Sequence, residues 1–415
     1  MKKIYTIIII LLLTEMTVFA QSPDMSFFTE EFSRSGASVN ELRDILLVIK
    51  NQNLTGIGEF YHHAIIVFIR RLPDFPSNQD RASVEEAAGL LLRGLAAEKY
   101  TLAAPEIWFL LQFFDIANPI NDGYLMYEAF IAIGQVGATN YAANVAAYLG
   151  QYNERASTSN EQIRTQIHRV APGAINALEV LCEPVGVKPV LIASAGRYET
   201  SVRNIASGAL INMMEALGEV IGDIVNGIMR DPFNSPTIKN LCWQELLRSR
   251  APDTAKARVA ATALETSYTF VASTHEYQLA FREMRSSAIE TIRVLGVADN
   301  SVYPFLNRVY REAFETSSIN FATLTEVIGT LSTVKTDEAV ALLTQFLTQI
   351  HQRRRSGPWR DVERNIMHVL IDAITSTGTK SQTALSLLDL IQSSSLYTGQ
   401  EQLWARNALT TLRSQ

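Results

Sequence analysis

The stretch Glu199–Met214, ETSVRNIASGALINMM, decides the fold. Val202, Ala206, Ala209, Leu210 and Met213 recur at the spacing of one apolar helix face. A single arginine, Arg203, stands directly beside that face. A guanidinium is costly to bury unless an anion or a carbonyl meets it. Its position therefore calls for either a structural reason or chemistry.

Spacing supplies the reason. Forward steps of about 40 residues from Arg203 reach Gln244, Arg285, Thr325, Arg364 and Arg406, and backward steps reach Arg164 and Tyr127. An apolar or small residue returns three positions after most of these anchors, and another six or seven after. Ala206 and Leu210 follow Arg203, Ala288 and Ile292 follow Arg285, and Met367 and Leu370 follow Arg364. The Gln244 unit fits least, because Arg250 occupies the second apolar place. A second helix follows each anchor helix, marked by Phe305-Leu306, Leu342-Leu343 and Leu387-Leu388. The chain thus reads as a two-helix repeat.

Nothing in the sequence reads as strand, since alternating β-branched runs are missing. Helix starts are expected at four capping boxes: Ser38-x-x-Glu41, Ser83-x-x-Glu86, Thr158-x-x-Glu161 and Thr398-x-x-Glu401. Proline-bearing or polar breaks separate the helices, as at Pro73–Pro76, Asp231–Pro236 and Ser356–Pro358. The aromatic run Trp108–Phe114 is expected to form a helix packed on two sides rather than a ligand box.

The pattern Glu199-x-x-Val202-Arg203-x-x-Ala206-x-x-Ala209-Leu210 resembles the HEAT-like (armadillo-type) helical repeat. Met284-Arg285-x-x-Ala288-x-x-Thr291-Ile292 resembles a second copy, and elsewhere the motif is degenerate. The resemblance implies an all-α chain in which residues 38–415 form an α-solenoid of about nine stacked helix pairs. A lone C-terminal helix from Thr398 to Leu412 would close the array. It further implies a structural role for Arg203, Arg285 and Arg364 inside the helix packing, with Glu199 and Glu283 as partners of the first two. The repeat carries no catalytic residue.

The N-terminus reads as a secretory signal over residues 1–20. Lys2 and Lys3 precede the apolar run Ile4–Leu13, and Val18-Phe19-Ala20 offers a cleavage site after Ala20. The run is too short for a bilayer span, and Glu15 interrupts it. Residues 21–37 are expected to be a disordered leader. No cysteine lies near the cleavage point, so a lipoprotein is not expected. These features together predict a periplasmic protein with no integral membrane segment after cleavage.

The net charge of −6 becomes one unit more negative when Lys2, Lys3 and Glu15 are removed. Such mild acidity excludes the broad basic face that nucleic-acid binding needs. Cys182 and Cys242 each sit in a helical apolar pattern, so buried free thiols are expected, although the compartment would permit a disulfide.

No phosphate loop, nucleophile elbow, His-Glu-x-x-His or EF-hand motif occurs. Glu59-x-x-His62 would place a carboxylate and an imidazole one helical turn apart, but a di-iron site needs a second copy and two more glutamates. A core-edge histidine is the expectation there, and no metal or cofactor is implied. The densest positive charge is HQRRRSGPWRDVER, with Arg353, Arg354, Arg355 and Arg360 around Trp359. Cations at a helix C-terminus explain it, and so would an anion or partner site. The expected function is a non-catalytic scaffold or adaptor that binds another protein of the cell envelope. The alternatives are a binder of anionic envelope ligands through residues 353–360, or a metal-dependent enzyme or accessory using Glu59 and His62.

Overall fold

The computed structural model describes residues 25–75, 81–118, 120–315, 319–357 and 360–415. The expected signal sequence lies outside the described residues. Among those residues there are twenty α-helices and five short 3-10 turns, with no strand. The chain divides into two compact units, residues 1–210 and 211–415.

The first unit contains α1 (Ser26–Ser33), α2 (Val39–Asn51), α3 (Gly58–Arg71), α4 (Arg81–Glu98) and α5 (Ala104–Phe113). It continues with α6 (Tyr124–Gln135), α7 (Ala142–Arg155), α8 (Glu161–Leu181), α9 (Val187–Ala195) and the start of α10 (Thr200–Ala216). Helices α2, α4, α6 and α8 pack each on the next. So do α1 on α3, α3 on α5, and α7 on α9. Sequence neighbours also pack, so most helices touch both the following helix and the one after it.

Local chemistry sets the helix ends. Ser38 caps α2 in a full capping box with Glu41, as its spacing predicts. Two of the other predicted boxes are not used. Asn160, not Thr158, caps α8, accepting from the Ile163 N–H. Ser83 lies inside α4, where its hydroxyl donates to Asn40 Oδ1 across to α2. Helix α8 runs through Pro172 and ends at Cys182 in the left-handed region at φ 49°.

The α6–α8 contact depends on missing side chains. A Cβ on Gly134 would lie 2.9 Å from the Ala177 Cα, and one on Gly173 would lie 2.8 Å from the Tyr127 carbonyl oxygen. Only glycine lets the two backbones approach so closely.

Part of the expected leader is helical instead. Phe32 of α1 is fully buried and meets Phe60 of α3 edge to face at 6.1 Å. An aromatic side chain buries enough apolar surface to fasten a short helix that polar residues alone would leave loose.

The second unit contains α11 (Val220–Arg230), α12 (Pro236–Arg248), α13 (Asp253–Thr269), α14 (His275–Leu295) and α15 (Tyr303–Glu315). It ends with α16 (Phe321–Val334), α17 (Asp337–Ser356), α18 (Asp361–Thr377), α19 (Gln382–Ser393) and α20 (Gly399–Ser414). The alternation repeats: α12, α14, α16, α18 and α20 pack in succession, as do α11 on α13, α15 on α17 and α17 on α19. Thr336, Ser381 and Thr398 cap α17, α19 and α20 through their hydroxyls.

From α6 onward the anchors of the sequence period fall one to each even-numbered helix. Tyr127 lies on α6, Arg164 on α8, Arg203 on α10 and Gln244 on α12. Arg285 lies on α14, Thr325 on α16, Arg364 on α18 and Arg406 on α20. Side-chain hydrogen bonds link residues about 40 positions apart, between helices or between the loops that join them. Arg81 reaches Asn121 over 40 residues, and Arg197 reaches Ser157 over 40. In the second unit Asn240 reaches Glu283 over 43 residues, and Trp243 reaches Ser287 over 44.

Candidate functional site

Two arginines of the 353–360 cluster, Arg353 and Arg360, meet at one carboxylate. Glu363, in the first turn of α18, is almost fully buried. Its oxygens accept from Arg353 Nε at 3.2 Å, Arg360 Nη2 at 3.1 Å and the Arg360 backbone N–H at 2.9 Å. Burial raises the carboxyl pKa, but the backbone amide and the two guanidinium groups outweigh it and hold Glu363 below the usual range. Arg354 donates to the Leu396 carbonyl, and Arg355 is exposed. Trp359 lies outside the described residues. The cluster thus joins the end of α17 to the start of α18, and two of its four described guanidinium groups already meet a carboxylate.

The repeat arginines fall into different environments. Arg203 is exposed, not inserted in the apolar face, and donates to Thr200 Oγ1 at 3.1 Å. Glu199 lies 3.5 Å from His168 Nδ1 instead. Arg285 is half-buried, donates to the Ser267 carbonyl at the end of α13 and lies over the Tyr268 ring. Glu283 accepts from Asn240 rather than from Arg285. Arg364 alone of the three joins a buried carboxylate of the next helix pair, with its Nε 2.9 Å from Glu401 Oε1.

His62 is half-buried, with Nε2 3.5 Å from Glu106 Oε2 on α5 and its ring 5.3 Å from that of Tyr100. The structure therefore places His62 beside Glu106, not in a pair with Glu59. Among the described residues no three His, Cys, Asp or Glu side chains converge as metal ligands would. Cys182 and Cys242 are free thiols, and burial pushes the Cys242 thiol up to about 12.

Sequence reasoning missed an exposed aromatic surface on α5. Ile107, Leu110 and Leu111 are buried as expected, whereas Phe109 and Phe113 are 45% and 49% exposed. The two rings stack on each other at 6.4 Å. Phe113 continues into a groove of about 290 Å3, lined also by Leu72, Phe75, Val84, Phe114 and Ile120. Its polar rim is already satisfied, because Arg81 donates to Glu85 and to the Ile120 carbonyl. The helix carrying the stripe is held from behind by aromatic contacts. Trp108 packs on Tyr141 and Tyr148 at 5.1 and 5.7 Å. The Tyr148 hydroxyl donates to Asp115, and burial with that carboxylate pushes the phenol up to about 12. Two adjoining, well-supported exposed phenylalanines form the kind of apolar patch that partners cover.

The chain matches no protein-family model and no curated protein by sequence.

Proposed function

We propose that the chain is a non-catalytic interaction scaffold of the cell envelope, built as an α-solenoid of HEAT-like two-helix repeats. The observation that carries the architectural half is the alternation just described. Within each unit even-numbered helices pack on even-numbered ones, and side chains bridge at intervals near 40 residues. Helix pairs that cannot bury their apolar faces alone stack in this manner. The interaction half rests on the Phe109–Phe113 stripe and its groove, which offer contact area without a convergent acid, base and nucleophile. Export follows from the signal-like residues 1–20. No helix among the described residues is long and apolar enough to cross a membrane.

Site-specific photo-crosslinking in cells tests the reading. A crosslinker at Phe113 should give one discrete protein adduct, absent at the polar α2 position Lys50 and abolished by Phe109→Ser. No adduct at Phe113, or an adduct indifferent to Phe109→Ser, would overturn the assignment of this surface.

A further inference from the structure

Two apolar side chains of the second unit project almost wholly into solvent. Phe233 is 94% exposed and Val271 is 89% exposed, the highest values among the large apolar side chains of the described residues. Phe233 stands in the loop between α11 and α12, and Val271 in the loop between α13 and α14. The two loops are neighbours: Thr237 Oγ1 in the first turn of α12 donates to Glu276 Oε1 in the first turn of α14 at 3.0 Å. Phe233 is held outward by an ordered turn. Asp231 Oδ1 accepts its backbone N–H at 2.9 Å, and Asn234 Nδ2 donates to the Ile228 carbonyl at 3.0 Å. Asn234, Ser235, Ala272 and Ser273 beside the tips carry no charge to desolvate.

Behind the loops lies an amine without an acceptor. Lys239 is fully buried, its Nζ makes no hydrogen bond, and it sits 3.3 Å from the centre of the Phe270 ring, where the second loop begins. Asp231 of the first loop is the carboxylate whose charge acts on it. A buried cation with no acceptor is costly to keep, and a break of this kind is expected where a ligand supplies the missing partner. We propose that the loops 231–235 and 270–274 dock on an anionic phospholipid bilayer, with Phe233 and Val271 entering the acyl boundary and Lys239 meeting a lipid phosphate. Turning the half-buried Phe270 outward would uncover the amine and add a third apolar side chain. Helices α12 and α14 both begin at these loops, and their N-terminal ends favour negative charge as well. A bilayer surface offers both chemistries together, phosphate above acyl chain. A protein partner would need a separate pocket for each projecting side chain, whereas fluid lipid accepts both without matching them. The inference goes beyond the scaffold reading and does not depend on the Phe113 surface.

Cosedimentation of the intact protein with vesicles of phosphatidylglycerol and phosphatidylethanolamine tests the proposal, with phosphatidylcholine vesicles and inorganic phosphate for comparison. The wild type should sediment with the anionic vesicles and more weakly with phosphatidylcholine. Phe233→Ser and Val271→Ser should each weaken binding about tenfold, with melting temperatures unchanged because both side chains are exposed. Lys239→Met should weaken binding to the anionic vesicles about fivefold while raising the melting temperature, a combination that a purely structural lysine does not give. Phe113→Ser should sediment like the wild type, which keeps this test separate from that of the protein-binding surface. Inorganic phosphate alone should not release the protein, since it offers nothing to the two apolar tips. The proposal fails if the wild type stays in solution beside anionic vesicles, or if Phe233→Ser or Lys239→Met binds them like the wild type. It fails equally if phosphate or Phe113→Ser abolishes binding, or if a photo-crosslinker at Phe233 in cells captures a protein instead of lipid.

Discussion

Lys239 carries an amine into the interior of the second unit. It lies on α12 and is fully buried, with Nζ 3.3 Å from the centre of the Phe270 ring and no hydrogen-bond partner. Removal from water lowers its pKa from 10.5 to about 8, with Asp231 opposing the shift weakly. At about 1.4 kcal/mol for each pH unit, the drop corresponds to roughly 3 kcal/mol of destabilisation while the amine is charged. Below pH 8 both folded and unfolded chains carry the proton, so the folded state bears the whole penalty. Between pH 8 and 10.5 the folded amine loses its proton while the unfolded one keeps it, and stability rises with pH. Lys239→Met fills a similar volume without charge. It gives up a cation–π contact of about 1 kcal/mol, which leaves a net gain of about 2 kcal/mol at pH 7. For a unit of this size that is a rise of roughly 4–8 °C in melting temperature. Urea unfolding followed by circular dichroism at pH 7 and pH 10.5 measures both effects. The variant should exceed the wild type at pH 7, and the gap should shrink at high pH. A destabilised variant at pH 7, or a gap that does not change with pH, would refute the reasoning.

Two further substitutions separate interior from surface. Arg203→Ala should change unfolding free energy by less than about 0.5 kcal/mol, because the side chain is exposed and bonds only Thr200. Arg364→Ala should lose about 2 kcal/mol in the same urea assay, since it strips a partner from the buried Glu401 carboxylate. Gly173→Ala drives a methyl group into the Tyr127 backbone and should lower stability by about 2 kcal/mol, read as a fall in melting temperature.

Much of the fold was legible because apolar spacing survives even where the repeat motif does not. The anchors found by counting land on alternate helices, and hydroxyl caps at Ser38 and Thr398 start helices where their spacing says they should. What failed was everything that depends on which side of a helix is covered. Phe109 and Phe113 sit in a run as apolar as any core helix, and no periodicity distinguishes a second buried face from an exposed one. Arg203 neighbours Val202 in sequence but is turned about 100° away on the helix, far enough to reach solvent. Lys239 passed unnoticed because a lysine on an amphipathic helix reads as solvated. Glu363 was hidden for another reason: the carboxylate that gathers Arg353 and Arg360 lies beyond a Gly-Pro break, in a different helix from Arg353.

The degeneracy of the anchor position has a physical basis in what its residues do. Six of the eight anchors donate a hydrogen bond. Arg164 donates to the Thr158 carbonyl and Arg285 to the Ser267 carbonyl. Gln244 donates to Ser287, Thr325 to the Phe321 carbonyl, Arg203 to Thr200 and Arg364 to Glu401. Only the last needs a positive charge, because only there is the acceptor a buried carboxylate. A carbonyl or a hydroxyl is satisfied equally by an amide or a hydroxyl donor. The anchor register therefore demands no single side chain: glutamine and threonine find acceptors there as arginine does, and Tyr127 and Arg406 occupy it without a side-chain hydrogen bond to a described residue.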